Sequence, residues 1–259
     1  MALSKSTKQR HDVHPKNDTH LKNDAHPTGR IDVSNLIKDV ASVHHTTDEH
    51  VSSYMKTNYE DFLKDSKMNF FFKNFHPKNG DTVLDVGCWI GAYTHVLSEK
   101  YPDVKFLGYD IIPEFIRLAN VAFKSGNATF VAKDVFKANE LKAESFDHIF
   151  FFEVLEHVDC PRAFIELFYR LLKKGGRLYI ATPSAVGMTN ILLNLKHKSI
   201  KYIENEPRDT GTEKDHIYAW DKLTLYRLLN RCGFKYDKFY LSRKFSISQG
   251  QSLCFIVKK

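Results

Sequence analysis

The run Asp81-Thr-Val-Leu-Asp-Val-Gly-Cys-Trp-Ile-Gly91 constrains this chain more than any other stretch. An apolar strand ends on Asp85, a loop bounded by Gly87 and Gly91 follows, and helical spacing then begins. Glycine is needed where a backbone turns through positive φ or approaches a ligand closely, because a Cβ obstructs both. A helix starting just beyond the loop offers unpaired backbone N–H groups to such a ligand. The segment therefore reads as a ligand-binding loop. It is not the dinucleotide fingerprint G-x-G-x-x-G, which counted from Gly87 requires glycines where Trp89 and Ala92 stand.

Further elements follow at regular intervals. Lys105 to Asp110 reads as a second buried strand ending in an acid, and Pro113 opens a helix carrying Phe115, Ile116, Leu118, Ala119 and Ala122 at helical spacing as far as Ser125. A third strand, Ala128 to Ala132, runs into Lys133-Asp134-Val135, where Asp134 is either a ligand contact or a cap. The almost unbroken apolar run Phe146 to Phe152 predicts a central parallel strand covered on both faces. Ligands in such sheets bind at the carboxyl ends of strands, which puts Glu153, Glu156 and His157 beside the site. Gly176 to Ser184 is a fifth strand, and Asp215-His-Ile-Tyr-Ala-Trp220 precedes a helix ending at Arg231-Cys-Gly-Phe234.

The spacing Asp85-x-Gly87-x-x-x-Gly91 resembles the first motif, D-x-G-x-G-x-G, of class I S-adenosylmethionine-dependent methyltransferases. Trp89 replaces the middle glycine, with its side chain expected to point away from the methionine end. The run Phe-Glu153-Val-Leu-Glu156-His157-Val and the later motifs, from about Phe70 to Lys259, are similar to the type 11 methyltransferases, which include the ubiquinone-biosynthesis O-methyltransferases. The resemblance implies an α/β, Rossmann-like class I methyltransferase fold: a mostly parallel seven-stranded sheet with helices on both faces. It also implies S-adenosylmethionine as cofactor, bound by Asp85, Gly87, Cys88, Gly91, Asp110, Ile111, Asp134, Val135 and Glu153. In the family the acid ending the second strand accepts the ribose hydroxyls, a role that falls on Asp110, and the Asp134-Val135 turn receives adenine.

On the acceptor side His157 is the candidate catalytic base for an oxygen acceptor; the alternative is a histidine that holds its loop by a hydrogen bond. The E-x-x-E-H run with a later histidine also resembles the metal-dependent small-RNA 2′-O-methyltransferases. Glu153, Glu156, His157 and His216 are then candidate ligands of a divalent metal, with both glutamates on one helical face; metal use stays open. The acceptor expected is a small molecule, glycan or lipid intermediate, of anionic character. Two rivals are kept: ribose methylation of RNA, and a non-catalytic regulator that binds S-adenosylmethionine.

Residues 1–30 are polar, carry the repeat Lys16-Asn-Asp-Thr-His20 and Lys22-Asn-Asp-Ala-His26, and are expected to be a disordered tail. A helical segment spans 31–75. The methyltransferase domain spans 76–259, with a lid-like insertion at about 185–213 whose apolar part is followed by Lys196, Lys198 and Lys201. Basic residues outnumber acidic ones 17 to 7 over Lys173–Lys259, whereas acids lead 21 to 15 over Ile31–Leu172. An acidic core suits a sulfonium and a basic rim suits an anionic acceptor. Cys88, Cys160, Cys232 and Cys254 show no zinc spacing and fall in elements expected to be interior, Cys88 as a small packing residue. With no signal-peptide or membrane-spanning run, this composition suggests a cytoplasmic protein. Deleting residues 1–30 is expected to leave the melting temperature and cofactor affinity unchanged in thermal denaturation and calorimetry, because the tail lacks the apolar surface to join a core.

Overall fold

A computed structural model describes residues 33–44, 46–123, 126–186, 216–242 and 251–259. The tail 1–30, the repeat within it and most of the insertion lie outside the described residues. Four helices come first: α1 (Val33–Val43), α2 (Asp48–Lys56), α3 (Tyr59–Phe62) and α4 (Ser66–Asn74). Their starts follow local chemistry, since Thr47, Asn58 and Asp65 each accept backbone N–H groups of the first turn of α2, α3 and α4.

Alternating strands and helices then follow: β1 (Thr82–Val86), α5 (Ala92–Lys100), β2 (Lys105–Asp110), α6 (Pro113–Ala122), β3 (Ala128–Ala132), β4 (Phe146–Phe152), α7 (Pro161–Leu171) and β5 (Leu172–Pro183). The chain closes with α8 (Lys222–Arg231), β6 (Lys235–Leu241) and β7 (Ser252–Lys258). The strands form one seven-stranded sheet in the order β3-β2-β1-β4-β5-β7-β6. β3, β2, β1, β4 and β5 pair in parallel, while β7 is antiparallel to both β5 and β6. From β1 the chain winds outward through β2 to β3, then crosses back to β4 on the other side of β1. The sheet's topological switch point therefore lies between β1 and β4.

The unbroken apolar run of β4 is explained by its two neighbours. Phe150 and Phe152 face a core built from α1–α6, whereas Ile149 and Phe151 face a second core with α7 and α8. Both faces are dry, so alternation of polar and apolar residues disappears. Each fully buried phenylalanine or isoleucine contributes roughly 1.5–3 kcal/mol relative to exposure, and Ile149, Phe150 and Phe151 are all at most 1 % exposed.

The N-terminal helices serve the sheet and its carboxyl edge together. Phe71 of α4 packs 4.6 Å from Phe152, and Phe70 stacks 5.3 Å from Tyr240 of β6. Val43, His44, His50, Tyr54 and Lys67 meanwhile line the cavity at the strand ends. The cysteine expectation needs correction: Cys88 and Cys254 are buried, but Cys160 is exposed and Cys232 half-buried. Cys160 stands at the loop-to-helix boundary of α7, where no strand or helix face covers it. No helix among the described residues is long and apolar enough to cross a membrane.

Candidate active site

A cavity of about 1110 Å³ opens at the carboxyl ends of β1, β2 and β4. Its first wall is the loop after β1. Gly87 has φ +73 and a Cβ there would collide with Val154, while Gly91 has φ +78 and a Cβ would meet the Phe130 ring. Both positions require glycine twice over, for conformation and for space. Gly91 does not line the cavity; it stands behind the loop as the N-cap of α5. Cys88 is buried at the loop's core, its thiol pushed up by burial and by Asp85 and Asp110, which suits packing rather than nucleophilic use.

Trp89, at the family's middle-glycine position, adopts φ +50, which accounts for the usual preference for glycine there. Its ring contacts Tyr54 and His44, and Trp89 lines the cavity.

Asp110 ends β2 and faces the same cavity. Its Oδ2 accepts the Trp89 N–H at 2.9 Å and its Oδ1 accepts the Ile112 N–H at 3.0 Å. Each oxygen keeps a further lone pair for a ligand hydroxyl. Burial pushes the carboxyl up, and the backbone donors Ile112, Trp89 and Ile111 oppose that. Ile111 beside it is 68 % exposed, an uncovered apolar side chain at the cavity rim. Asp134 and Val135 also line the cavity, and Asp134 Oδ1 accepts the Phe136 N–H at 2.9 Å as the cap of a short 3-10 turn. Asp134 is thus a cap that also lines the cavity.

The acceptor side lies beyond β4. Glu153 to His157 form bends and turns, not a helix, and Glu153 has φ +55. The expectation that Glu153 and Glu156 share a helical face is therefore corrected: the strand ends at Phe152, and positive φ at the next residue breaks any helical continuation. Glu153 Oε1 pairs with Lys67 Nζ at 2.9 Å. Burial alone would depress the Lys67 ammonium, but the Glu153 carboxylate more than offsets it and raises its pKa.

Glu156 is 1 % exposed; Oε2 accepts the Thr182 hydroxyl at 2.9 Å, and Oε1 has no hydrogen-bond partner among the described residues. Burial, reinforced by the charge of Glu153, holds its carboxyl well above the usual range. The rings of His157 and His216 lie 4.7 Å apart. Ligand atoms of Glu156, His157 and His216 all fall within 4.8 Å of one another. His216 arrives because the N–H groups of Ile217 and Tyr218 both donate to the Glu156 carbonyl, at 2.8 and 3.2 Å. Of the four candidate metal ligands, three converge, while Glu153 stands apart in its pair with Lys67.

Lys67, Tyr54, His44 and His50 were not signalled by any motif. Lys67 reaches Glu153 across 86 residues of sequence, and only the fold brings them together. Thr94, whose hydroxyl donates to Asp85, lies one turn into α5 and is legible only once that helix is known to start at Gly91. Among the described lining residues five carboxylates, Asp85, Asp110, Asp134, Glu153 and Glu156, face two lysines. That balance favours a cationic ligand.

Asp85 allows a direct test of this electrostatic environment. Burial, with the nearby Asp110 charge, pushes its carboxyl up to about 7 despite the Thr94 hydrogen bond. In the folded protein the group keeps its proton across a range where the unfolded chain has released it, so its contribution to stability falls as pH rises from about 4 to 7. Asp85→Asn removes that penalty. Its melting temperature is expected to exceed that of the wild type at pH 8, by about 2–4 °C for each kcal/mol recovered, and the gap should narrow toward pH 4. A gap independent of pH would count against a raised carboxyl.

A family model described as a methyltransferase domain matches residues 77–232. A ubiquinone biosynthesis O-methyltransferase of Xylella fastidiosa is 31 % identical over 62 % of this chain and 67 % of its own length. The Xanthomonas oryzae pv. oryzae protein of that name is 34 % identical over 61 % and 67 %. The chain thus spans about two thirds of these relatives. In fold it is similar to a SAM-dependent methyltransferase of Aquifex aeolicus, at 20 % identity and TM-score 0.55 over 80 % of this chain and 97 % of that one. Phospholethanolamine N-methyltransferase 2 of Haemonchus contortus shares 17 % identity with TM-score 0.63 over 86 % and 60 %. The match over more than half of the chain, with the glycine-bounded loop and the strand order behind it, means that the chain belongs to the methyltransferase-domain family and is a class I S-adenosylmethionine-dependent methyltransferase.

Proposed function

We propose that this enzyme methylates an oxygen of a small-molecule, glycan or lipid-intermediate acceptor, with His157 as the base. The observation carrying the proposal is the convergence of Glu156, His157 and His216 on the cavity that Gly87 and Asp110 also line. The named relatives support oxygen as the acceptor atom, since they include ubiquinone biosynthesis and malonyl-acyl-carrier-protein O-methyltransferases.

The residues fit the cofactor. The cavity's volume is at the upper end of the ~300–1,000 Å³ of ligand pockets, so it has room for two reactants. In this reading Asp110 accepts the ribose hydroxyls with its remaining lone pairs, Asp134 and the Val135 N–H receive adenine, and the Asp85–Gly87–Cys88 loop with Glu153 borders the methionine end. When bound, the cofactor supplies an electrophilic methyl group attached to a sulfonium. The chain's own residues hold the acceptor in line with it and exclude water, which is the larger part of such catalysis. The His157 imidazole takes the acceptor's hydroxyl proton, and His216 beside it confines the ring.

Two measurements test these assignments. Asp110→Ala should weaken binding of S-adenosylhomocysteine by about 1.5–3 kcal/mol in calorimetry, the range for hydrogen bonds to a charged group; unchanged affinity would remove Asp110 from the ribose site. His157→Ala should lower turnover by roughly 10²–10⁴-fold, with cofactor affinity within about twofold of the wild type.

A second reading of the same cluster is favoured by one observation, the buried Oε1 of Glu156, which has no hydrogen bond among the described residues and lies 3.9 Å from His157 Nε2 and within reach of His216. Glu156, His157 and His216 would hold a divalent cation, whose chemistry is to polarise an acceptor hydroxyl. Turnover abolished by a chelator and restored by Mg²⁺ or Mn²⁺ selects this reading; turnover indifferent to chelator selects the base.

A further inference from the structure

We propose that Trp89 is a positioning residue that pins the α1–α2 cover to the loop that hydrogen-bonds Asp110, so that the order of the cover and cofactor binding are coupled. The proposal rests on the reading of Asp110 as the ribose acceptor. It starts from an apparent disadvantage: Trp89 holds φ +50 at a position where glycine would be relaxed. Side chains persist in that region only when their surroundings over-determine them. What tryptophan adds over glycine is its ring, so the ring's contacts carry the explanation.

Those contacts lead almost entirely to the N-terminal cover. The indole lies edge-on to Tyr54 at 5.0 Å, 5.2 Å from His44 and 6.1 Å from His50, with Phe115 of α6 at 6.4 Å. Tyr54 and His50 belong to α2, and His44 follows directly on α1. The indole Nε1 is buried without a hydrogen-bond partner among the described residues, so ring packing holds the side chain in place. α2 has a single buried residue of its own, Val51. Tyr54 also packs on Phe62 and Tyr93, at 6.1 and 6.3 Å, so Trp89 is one of three rings through which Tyr54 attaches α2 to the domain. The same residue's N–H donates to Asp110 Oδ2 at 2.9 Å. Glycine at 89 would keep that N–H while losing every ring contact to α1 and α2, so the hydrogen bond and the attachment of the cover meet at this one residue. Cover, loop and Asp110 are therefore linked through one amino acid.

The test uses the full chain with S-adenosylhomocysteine as probe, read by calorimetry and backbone hydrogen exchange. Trp89 lines the cavity, and Trp89→Gly restores the residue best suited to the local φ, so a tryptophan that neither pins the cover nor touches the probe directly predicts equal or tighter binding, and the exchange of α1–α2 below separates the pin from direct contact. The pin predicts the opposite: binding weakened by about tenfold, within the 5–150-fold span of ordinary coupling energies. Trp89→Phe, which keeps a ring, should recover most of the loss. Tyr54→Ala should also weaken binding, and the double variant should lose less than the sum of the two singles, because both remove the Trp89–Tyr54 contact. Additive losses would mean separate contacts and would overturn the proposal.

In the wild type the probe should slow exchange in α1–α2, and Trp89→Gly should abolish that slowing. If Trp89→Gly fails to fold, the wild-type exchange decides alone, and no slowing in α1–α2 refutes the pin. Failure of the underlying reading is distinguishable: Asp110→Ala would then bind as the wild type does, whatever Trp89→Gly does.

Discussion

The carbonyl of Tyr109 accepts two hydrogen bonds, from Gly87 N–H at 2.7 Å and Cys88 N–H at 3.1 Å. This joint, just before Asp110, fastens the loop after β1 to the end of β2. The adjacent N–H of Trp89 then closes on the Asp110 carboxylate, so three successive backbone donors of one loop are satisfied by two successive residues of the next strand. A buried donor left unpaired here would cost about 1–3 kcal/mol. The loop's shape is thus fixed from outside itself, and the positive φ values at Gly87 and Gly91 are what allow its N–H groups to point that way.

From this joint the pocket divides into two regions of different origin. One wall comes from loops after β1, β2 and β3, each one step from a strand end. The other is assembled from distant pieces: residues of α1, α2 and α4 with His44, the turn after β4, the end of β5, and the segment 216–219. Side chains and long-range pairs hold it, with Lys67–Glu153 and Thr182–Glu156 as its fixed points. A charged pair that is only partly exposed keeps its geometry because separating it would leave a charge poorly solvated.

That division also explains what could be read from the chain beforehand. The strands β1 to β4 and the helices after them are written in local patterns: apolar runs, Pro113 at a helix start, glycines at loop corners. Gly87, Asp110 and the run Glu153 to His157 were legible because each is adjacent to a strand end. The pairing of His157 with His216 was legible only as a convergence at one sheet edge, and the N–H groups of Ile217 and Tyr218 on the Glu156 carbonyl supply its cause. Lys67, Tyr54 and His44 carried no signal, since an amphipathic helix states which face is apolar but not what that face covers. The helix expected across Glu153 to Glu156 failed for a related reason: i, i+3 spacing in so short a run does not distinguish a helix from successive turns.

Ser184 at the end of β5 bridges to Trp220, and the Ala185 N–H donates to the Trp220 carbonyl at 2.7 Å. The two feet of the long segment between them therefore meet at a hydrogen-bonded neck beside the sheet. Chain closure is completed at the neck, and the entropic cost of a loop grows only logarithmically with its length. The position of His216 is set in turn by the bonds of its own neighbours, Ile217 and Tyr218, to the Glu156 carbonyl, so the residue is tied to the turn after β4 as well as to the neck.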